Sequence, residues 1–322
     1  MNNTVKGLTK IAGVFLAITV IVPGLLAGCA ANKANGSINP QTTSTQAPIA
    51  SSNIEDGQDK IMEAYQKLLI NNSGLIEIIK FVDKNISKVS EQNALVMIDQ
   101  LEKLQKEYLP ELEEKYYTDN GDIQNKFMEV FSKDFDIKKI ESIEDLKVKE
   151  LLTETKESGY KVETAEGMFF PVINYEFYKK YSGFVAADFK EYIDIMAIES
   201  DEMLAKDAAL VVGWDELLKR AVKQEKFIAQ YGNSIRIDDV KALYKKYLSF
   251  ALLGFNNTPL FDGTPKVMVE DAKKTYMAAL KDGKEGGFLT ILSDYMDLLN
   301  KNDYKLTDEV DKYRKDVLEK LK

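Results

Sequence analysis

The sequence contains no histidine, and this absence removes several classes of chemistry at once. Among its 322 residues there is also only one cysteine. Without imidazole, catalytic devices of the Ser-His-Asp and Cys-His types and every His-containing metal site are excluded. A single cysteine excludes an internal disulfide and a cluster of thiolate ligands. The residue types therefore say little in favour of catalysis.

Negative charge exceeds positive charge in the sequence, and arginine is rare. The chain has 43 Lys and Arg against 52 Asp and Glu, a net charge of −9, and arginine occurs only at Arg220, Arg236 and Arg314. Charges of both signs are interspersed, so no basic surface for nucleic acid or for an anionic membrane is expected. Lysine lacks the planar fork of arginine that reads phosphate and carboxylate groups. We therefore expect no nucleic-acid partner, and recognition of phosphate is disfavoured.

The first residues have the pattern of an export signal. A short cationic region, Met1 to Lys10, precedes an apolar run from Ile11 to Leu26. A membrane-spanning helix needs about 20 apolar residues, so this run is more typical of a signal peptide. The segment that follows, Leu26-Ala27-Gly28-Cys29, resembles the lipobox of bacterial prolipoproteins. The resemblance implies that Cys29 is acylated and becomes the first residue of the mature chain.

This resemblance predicts the location and the domain organisation. Two or three acyl chains on Cys29 would hold the protein at the extracytoplasmic face of the bacterial cell membrane, because each buried CH₂ contributes about 0.8 kcal/mol. Residues 1–28 are then a signal peptide. Residues 29–57, rich in Asn, Gly, Ser, Thr, Gln and Pro, are expected to form a flexible stalk, because they cannot bury enough apolar surface. Residues 58–322 form the ectodomain, with a sub-boundary near residue 159.

Apolar residues in the ectodomain recur mostly every three or four positions, which predicts an all-α fold. The expected early helices run from Asp59 to about 71, from 75 to 85, and from a cap at Ser90 through a kink at Pro110. A capping box at Ser142 opens a helix to about 157. Later helices are expected at 174–182, 186–198, 214–231, 236–253, 268–281 and 288–300, followed by a last helix capped by Thr307.

Two features vary this helical pattern. Alternating apolar residues around a turn at 165–167 predict a small β-hairpin near 160–172, and Pro171 makes it an edge or an isolated ribbon. The pair of helices at 214–231 and 236–253 is similar to a tetratricopeptide hairpin. No second copy follows at the 34-residue period of that repeat, so an ordinary helical hairpin is the preferred interpretation.

Three short motifs could carry chemistry. The segment ending in Glu199-Ser200 is similar to the catalytic helix of lytic transglycosylases, in which a desolvated Glu acts as general acid on a glycan. The downstream Gly-Leu-Met-Gln segment of those enzymes is absent. Residues 119–123 resemble the middle of an EF-hand loop, but Tyr116 and Phe127 stand where carboxylates are needed. Residues 283–287 lack the Walker spacing. We therefore predict no metal site and no cofactor.

The strongest local bias is a concentration of aromatic residues between Phe169 and Tyr192. Aromatic faces bind sugar rings and peptide side chains, so Phe169, Tyr175 and Tyr178 are candidate ligand-binding residues. The spacing of three between Tyr175, Tyr178 and Tyr181 equally predicts a packed helix face. A core role is the preferred interpretation for most of these rings.

These observations leave three hypotheses about function. The first is a non-enzymatic surface lipoprotein that binds or scaffolds a cell-wall or envelope protein component, with the membrane as its other partner. The second is a peptidoglycan-acting enzyme with Glu199 as its acid. The third is the solute-binding lipoprotein of a transporter, a class that usually has two α/β lobes. We prefer the first.

Overall fold

The described part of the chain is mostly helical, as the spacing of apolar residues predicted. The computed structural model describes residues 50–118, 121–131, 137–281 and 286–320, without the side chains of 50–56 and 137–139. The α-helices in this part are α1 (Ala50–Ile70), α2 (Leu75–Asn85), α3 (Glu91–Tyr116), α4 (Asp122–Phe131), α5 (Leu146–Glu157), α6 (Ala187–Asp201), α7 (Trp214–Gln230), α8 (Ile237–Leu253), α9 (Glu270–Ala279), α10 (Gly287–Lys301) and α11 (Asp308–Glu319).

Two of the predicted helix caps are confirmed and one is wrong. The Ser90 hydroxyl accepts the Asn93 N–H at 3.3 Å, and the Thr307 hydroxyl accepts the Val310 N–H at 3.4 Å. Ser142, in contrast, lies in a 3-10 helix, Ile137–Ser142. The cap of α5 is Asp145, whose carboxylate accepts the Val148 N–H at 3.1 Å. A carboxylate caps as well as a hydroxyl and also favours the positive end of the helix dipole.

Two other helices differ from expectation in their extent or type. Helix α1 begins at Ala50, before the predicted start at Asp59, so its first turns overlap the region expected to be a stalk. The helix expected at 174–182 is a 3-10 helix, Tyr175–Tyr181. A 3-10 helix has three residues per turn, so a spacing of three places Tyr175, Tyr178 and Tyr181 on one side of it. Helix α3 runs through Pro110 without interruption.

The predicted β-hairpin is present, and two smaller hairpins accompany it. Strands β1 (Tyr160–Ala165) and β2 (Met168–Ile173) form a two-stranded antiparallel ribbon with Val162 opposite Pro171. Glu166 and Gly167 both have positive φ, 51° and 75°, as a type I′ turn requires. The hairpins β3 (Ala205–Lys206) with β4 (Ala209–Leu210) and β5 (Phe261–Asp262) with β6 (Val267–Met268) have strands too short to show alternation in the sequence.

Residues 49–322 form one compact unit, and in its described part three hydrophobic clusters hold these elements together. The amino-terminal cluster joins α1, α2, α3, the 3-10 helix 175–181 and α6, and it includes Phe227 of α7 and Val240 of α8. A small cluster joins the end of α3 with α4, α5 and β1. The carboxy-terminal cluster joins α7 to α11. Helices α7 and α8 therefore contribute to both large clusters, and this unit supplies its own core.

Candidate functional site

Most of the aromatic segment lies in the amino-terminal cluster. Tyr175, Tyr178, Tyr181, Phe189 and Tyr192 expose 5% of their surface or less. The rings of Tyr175 and Tyr178 pack 5.6 Å apart, and Tyr175 meets Tyr192 edge to face at 6.3 Å. Packed rings of this kind stabilise a core through area burial and favourable ring geometry. No face of these five rings lies open to solvent in this structure.

The hydroxyls of Tyr175 and Tyr192 converge on a buried carboxylate, that of Glu102 in α3. Each donates to Glu102 Oε1 at 2.7 Å, and Lys106 Nζ lies 2.7 Å from the same oxygen. Arg236 Nη2 lies 2.6 Å from Glu102 Oε2 and 2.7 Å from Asp99 Oδ1. We call these six residues, Asp99, Glu102, Lys106, Tyr175, Tyr192 and Arg236, the Glu102 cluster. Its donors satisfy a charge that would otherwise be costly to bury.

Tyr178 is held by a second buried polar group, the side chain of Gln105. The Tyr178 hydroxyl donates to Gln105 Oε1, while Gln105 Nε2 donates to the Ser158 carbonyl at 2.6 Å. Gly159 lies against the same amide with φ at +76°, so a Cβ here would meet Gln105 Nε2 and would also be strained. Core contacts therefore hold both the ring and the hydroxyl of Tyr178.

Phe169, the third candidate ligand-binding residue, lies in a different cluster. Its ring packs 5.8 Å from Phe127 and 5.2 Å from Phe131, next to the end of α3. The Gln124 side chain fixes its backbone by accepting the Phe169 N–H at 2.8 Å and donating to its carbonyl at 2.9 Å. The three predicted residues thus do not form one surface, and their role in ligand binding stays a prediction.

Glu199 has the desolvated environment that a general acid needs. Its side chain is 17% exposed at the end of α6, and burial raises the pKa of its carboxyl. The Tyr247 hydroxyl donates to Glu199 Oε1 at 2.5 Å, and Arg220 Nη1 lies 4.0 Å from that oxygen, which partly opposes the rise in pKa. Both partners come from the hairpin of α7 and α8. The group is therefore held between three helices.

A concave site in the described residues lies between α7 and α9, and we call it the α7–α9 cleft. Its volume is about 600 Å³, within the roughly 300–1,000 Å³ range of small-molecule sites. Helix α7 contributes Asp215, Leu218, Lys219, Val222, Lys223 and Lys226 to its lining. Thr275, Ala278 and Ala279 of α9 and Leu289 of α10 complete it. The floor is apolar, and one wall carries three ammonium groups.

The three lysines of this wall differ in how far they are already neutralised. Lys219 forms an ion pair with Asp215 at 2.8 Å, and Lys223 lies 3.5 Å from Glu191 of α6. Lys226 is exposed and forms no ion pair or hydrogen bond with any residue that the structure describes. The lysines of α7 are therefore less neutralised towards Lys226 than at Lys219.

The cleft has no clear signature in the sequence. Lys219, Lys223 and Lys226 are spaced by four and three residues on one helix face, a pattern that is usually an ordinary solvated surface. The apolar partners that turn the face into a cleft are Ala278, Ala279 and Leu289, which are distant in sequence. The only local signal was Val222 among the lysines, and this was too weak to distinguish a site from a surface.

Other predicted features lie outside the described residues or have no structural counterpart within them. The signal peptide and Cys29 fall in residues 1–49, so lipidation stays a prediction. Of the EF-hand-like segment, residues 119 and 120 are not described, whereas Tyr116 and Phe127 are fully buried and stack 4.9 Å apart. Within the described ranges, no group of three or more Asp, Glu or Cys side chains could hold a metal ion.

None of the helices that the structure describes combines the length and apolarity needed to cross a bilayer. Comparisons of the chain with protein-family models, with curated proteins and with solved structures gave no match.

Proposed function

We propose that this protein is a lipid-anchored binding module of the bacterial cell envelope, and that the α7–α9 cleft is its ligand site. The cleft carries the proposal because it combines a volume of about 600 Å³ with an apolar floor and polar groups on one wall. Sites that hold small molecules usually have this composition, in which apolar groups supply contact area and a few polar groups fix orientation. Such an arrangement binds a ligand without requiring chemistry.

The location of the module follows from the predicted anchor. Acylation at Cys29 would place the ectodomain outside the membrane, with the polar segment after it as a tether. The helical fold supports a dedicated binding module over a transporter's solute-binding protein, because that class usually consists of two α/β lobes. The predicted anchor thus supplies the location of the module, and the α7–α9 cleft supplies its ligand site.

The proposal can be tested by blocking the cleft without disturbing the core. Ala278 is exposed on α9 and lines the cleft, so Ala278→Trp should fill it. Ala242 is an equally exposed alanine on α8, and Ala242→Trp is the matched control. Residues 49–322 of each variant are immobilised, exposed to an envelope extract, washed and eluted with organic solvent for mass spectrometry.

The expected result is a molecular species that the parent and the Ala242→Trp control retain and that Ala278→Trp does not. A large side chain in the cleft excludes the ligand sterically, while the control changes the exposed surface by the same amount. Recovery of the same species in the same amount from all three proteins would contradict a ligand site at the α7–α9 cleft. Melting temperatures of the three should agree, because neither position is buried.

A second candidate function, glycan cleavage, is favoured by the environment of Glu199. A carboxyl whose pKa is raised by burial retains its proton closer to neutral pH, as a general acid on a glycosidic oxygen must. Zymography on peptidoglycan tests this hypothesis. A cleared band that is lost in Glu199→Gln but kept in Glu202→Gln, whose side chain is 67% exposed nearby, would support the enzyme. We prefer the binding module because Glu199 does not line the α7–α9 cleft.

A further inference from the structure

We infer that the α7–α9 cleft takes an amphipathic anion, that is, a molecule with one acidic head group and a hydrocarbon body. This inference rests on the proposed function and specifies its ligand. The chain as a whole is acidic, with a net charge of −9. The cleft lining is locally the opposite, with Lys219, Lys223 and Lys226 against the single carboxylate of Asp215.

The hydrocarbon body is assigned to the floor of the cleft. Leu218, Val222 and Leu289 present apolar side chains there, and Ala278 and Ala279 on the opposite wall are small enough to leave space above them. Burial of apolar ligand surface against such a floor favours binding, because it removes that surface from water. The floor therefore selects for a ligand with a substantial apolar part.

The acidic head is assigned to Lys226, assisted by Lys223. The ion pair of Lys219 with Asp215 at 2.8 Å already neutralises that end of the wall, and the 3.5 Å contact of Lys223 with Glu191 is looser. Lys219 and Lys226 are seven positions apart on the helix, about 10 Å along its axis, so the two ends of the cleft are electrostatically distinct. The neighbouring Glu225 accepts the Phe288 N–H at 2.7 Å and is engaged at the start of α10.

Lysine suits this role although it lacks the fork of arginine. Ammonium groups act as point charges and attract a carboxylate, phosphate or sulfonate without demanding one planar geometry. A wall of lysines therefore selects for negative charge and tolerates different head groups. The overall composition disfavours recognition of phosphate. The local group of lysines at this cleft nevertheless suits a phosphate head group.

Direct titration tests the charge preference. Residues 49–322, which form one compact unit, are titrated in a calorimeter with decanoate, decyl phosphate, decyltrimethylammonium and decyl maltoside, each below its micelle concentration. We expect both anions to bind at least tenfold more tightly than the cation and the neutral probe. Equal affinity for the cation and the anions would overturn the inference.

Single-lysine variants test the assignment of the head group within the same cleft. Lys226→Gln should weaken decanoate binding about tenfold, equivalent to about 1.4 kcal/mol, because it removes the unpaired ammonium. Lys241→Gln is the matched control and should change affinity less than twofold, because it removes an exposed ammonium of α8 that does not line the cleft. If Lys241→Gln proved as damaging as Lys226→Gln, the assignment of the head group to Lys226 would be wrong.

The outcomes separate this inference from the proposed function. Ala278→Trp should abolish binding of every decyl probe. If envelope ligands depend on an open cleft but no anionic probe binds, the binding module stands and the amphipathic anion is rejected.

Cosedimentation with phosphatidylglycerol vesicles distinguishes two sources of the same chemistry. Sedimentation that depends on Lys226 identifies a bilayer lipid, whereas its absence together with decanoate binding identifies a freely diffusing amphiphile.

Discussion

Replacement of Glu102 by Gln tests the electrostatic account of the amino-terminal cluster. Glu102 is 1% exposed and faces four donors, from Lys106, Tyr175, Tyr192 and Arg236. Gln preserves the size of the side chain but removes its charge. An amide N–H₂ group also replaces one of the two oxygens that accept hydrogen bonds. Since every neighbour is a donor, at least one hydrogen bond must be lost or reorganised.

The magnitude follows from what the substitution leaves unpaired. Breaking a buried ion pair by removing one partner costs about 3–5 kcal/mol. Arg236 would still have Asp99 at 2.7 Å and Asp239 at 3.2 Å, both of them more exposed than Glu102. We therefore expect Glu102→Gln to cost about 3 kcal/mol of unfolding free energy, the lower end of that range.

Urea unfolding of residues 49–322 measures this cost as a shift in midpoint at unchanged slope. Glu107→Gln, an exposed position on the same helix, is the control and should stay within about 0.5 kcal/mol of the parent. The double variant Glu102→Gln/Arg236→Gln should be less destabilised than the sum of the two single variants, by about 1–3 kcal/mol. A cost below about 1 kcal/mol for Glu102→Gln, or strict additivity, would refute this reasoning.

Three further predictions address the aromatic core, the buried carboxyl and the anchor. Tyr178→Ala should cost about 3–5 kcal/mol in urea unfolding, because a cavity replaces a fully packed ring. Glu199 has a raised pKa in the folded state, so its ionisation destabilises the fold as pH rises from about 4. Glu199→Gln should therefore gain stability relative to the parent between pH 4 and pH 7. Cys29→Ser should abolish incorporation of a labelled fatty acid into the protein expressed in bacteria, because the serine hydroxyl replaces the acylated thiol.

Each of these has a result that contradicts it. The same truncation at Tyr117, which is 42% exposed, should cost about 0.5 kcal/mol, and equal costs at both tyrosines would argue against the packed environment of Tyr178. A stability difference between Glu199→Gln and the parent that does not vary with pH would mean that the carboxyl is not perturbed. Fatty-acid label that persists in Cys29→Ser would remove the basis for the lipid anchor.

The sequence was informative where one residue type dictates local geometry. Ser90 and Thr307 could be identified as caps because their hydroxyls replace a missing backbone partner within three residues. The ribbon of β1 and β2 was predictable because alternation extends over both strands. The spacing of three between the tyrosines at 175, 178 and 181 predicted a packed helix face but not the helix type, which is 3-10.

The site was harder to predict because it depends on contacts between distant segments. Nothing near Lys226 in the sequence shows that Ala278 and Leu289 lie across a cleft from it. Glu102 likewise reads as one of many surface charges on α3, and its burial becomes evident only when Arg236 is placed beside it. Local patterns specify helices and caps, whereas polar burial and concave surfaces depend on the tertiary arrangement.

The ion pair between Glu102 and Arg236 also constrains when the fold can form. Its partners are 134 residues apart, and the cation comes from the turn that precedes α8. A chain is synthesised from its amino terminus, so α3 exists well before Arg236. During that interval Lys106 of the same helix is the one cation of the cluster already made, so closing the cluster would bury the second Glu102 oxygen without its partner. The amino-terminal helices should therefore stay open until Arg236 is available, and a chain truncated before Arg236 should be cleaved readily by added protease.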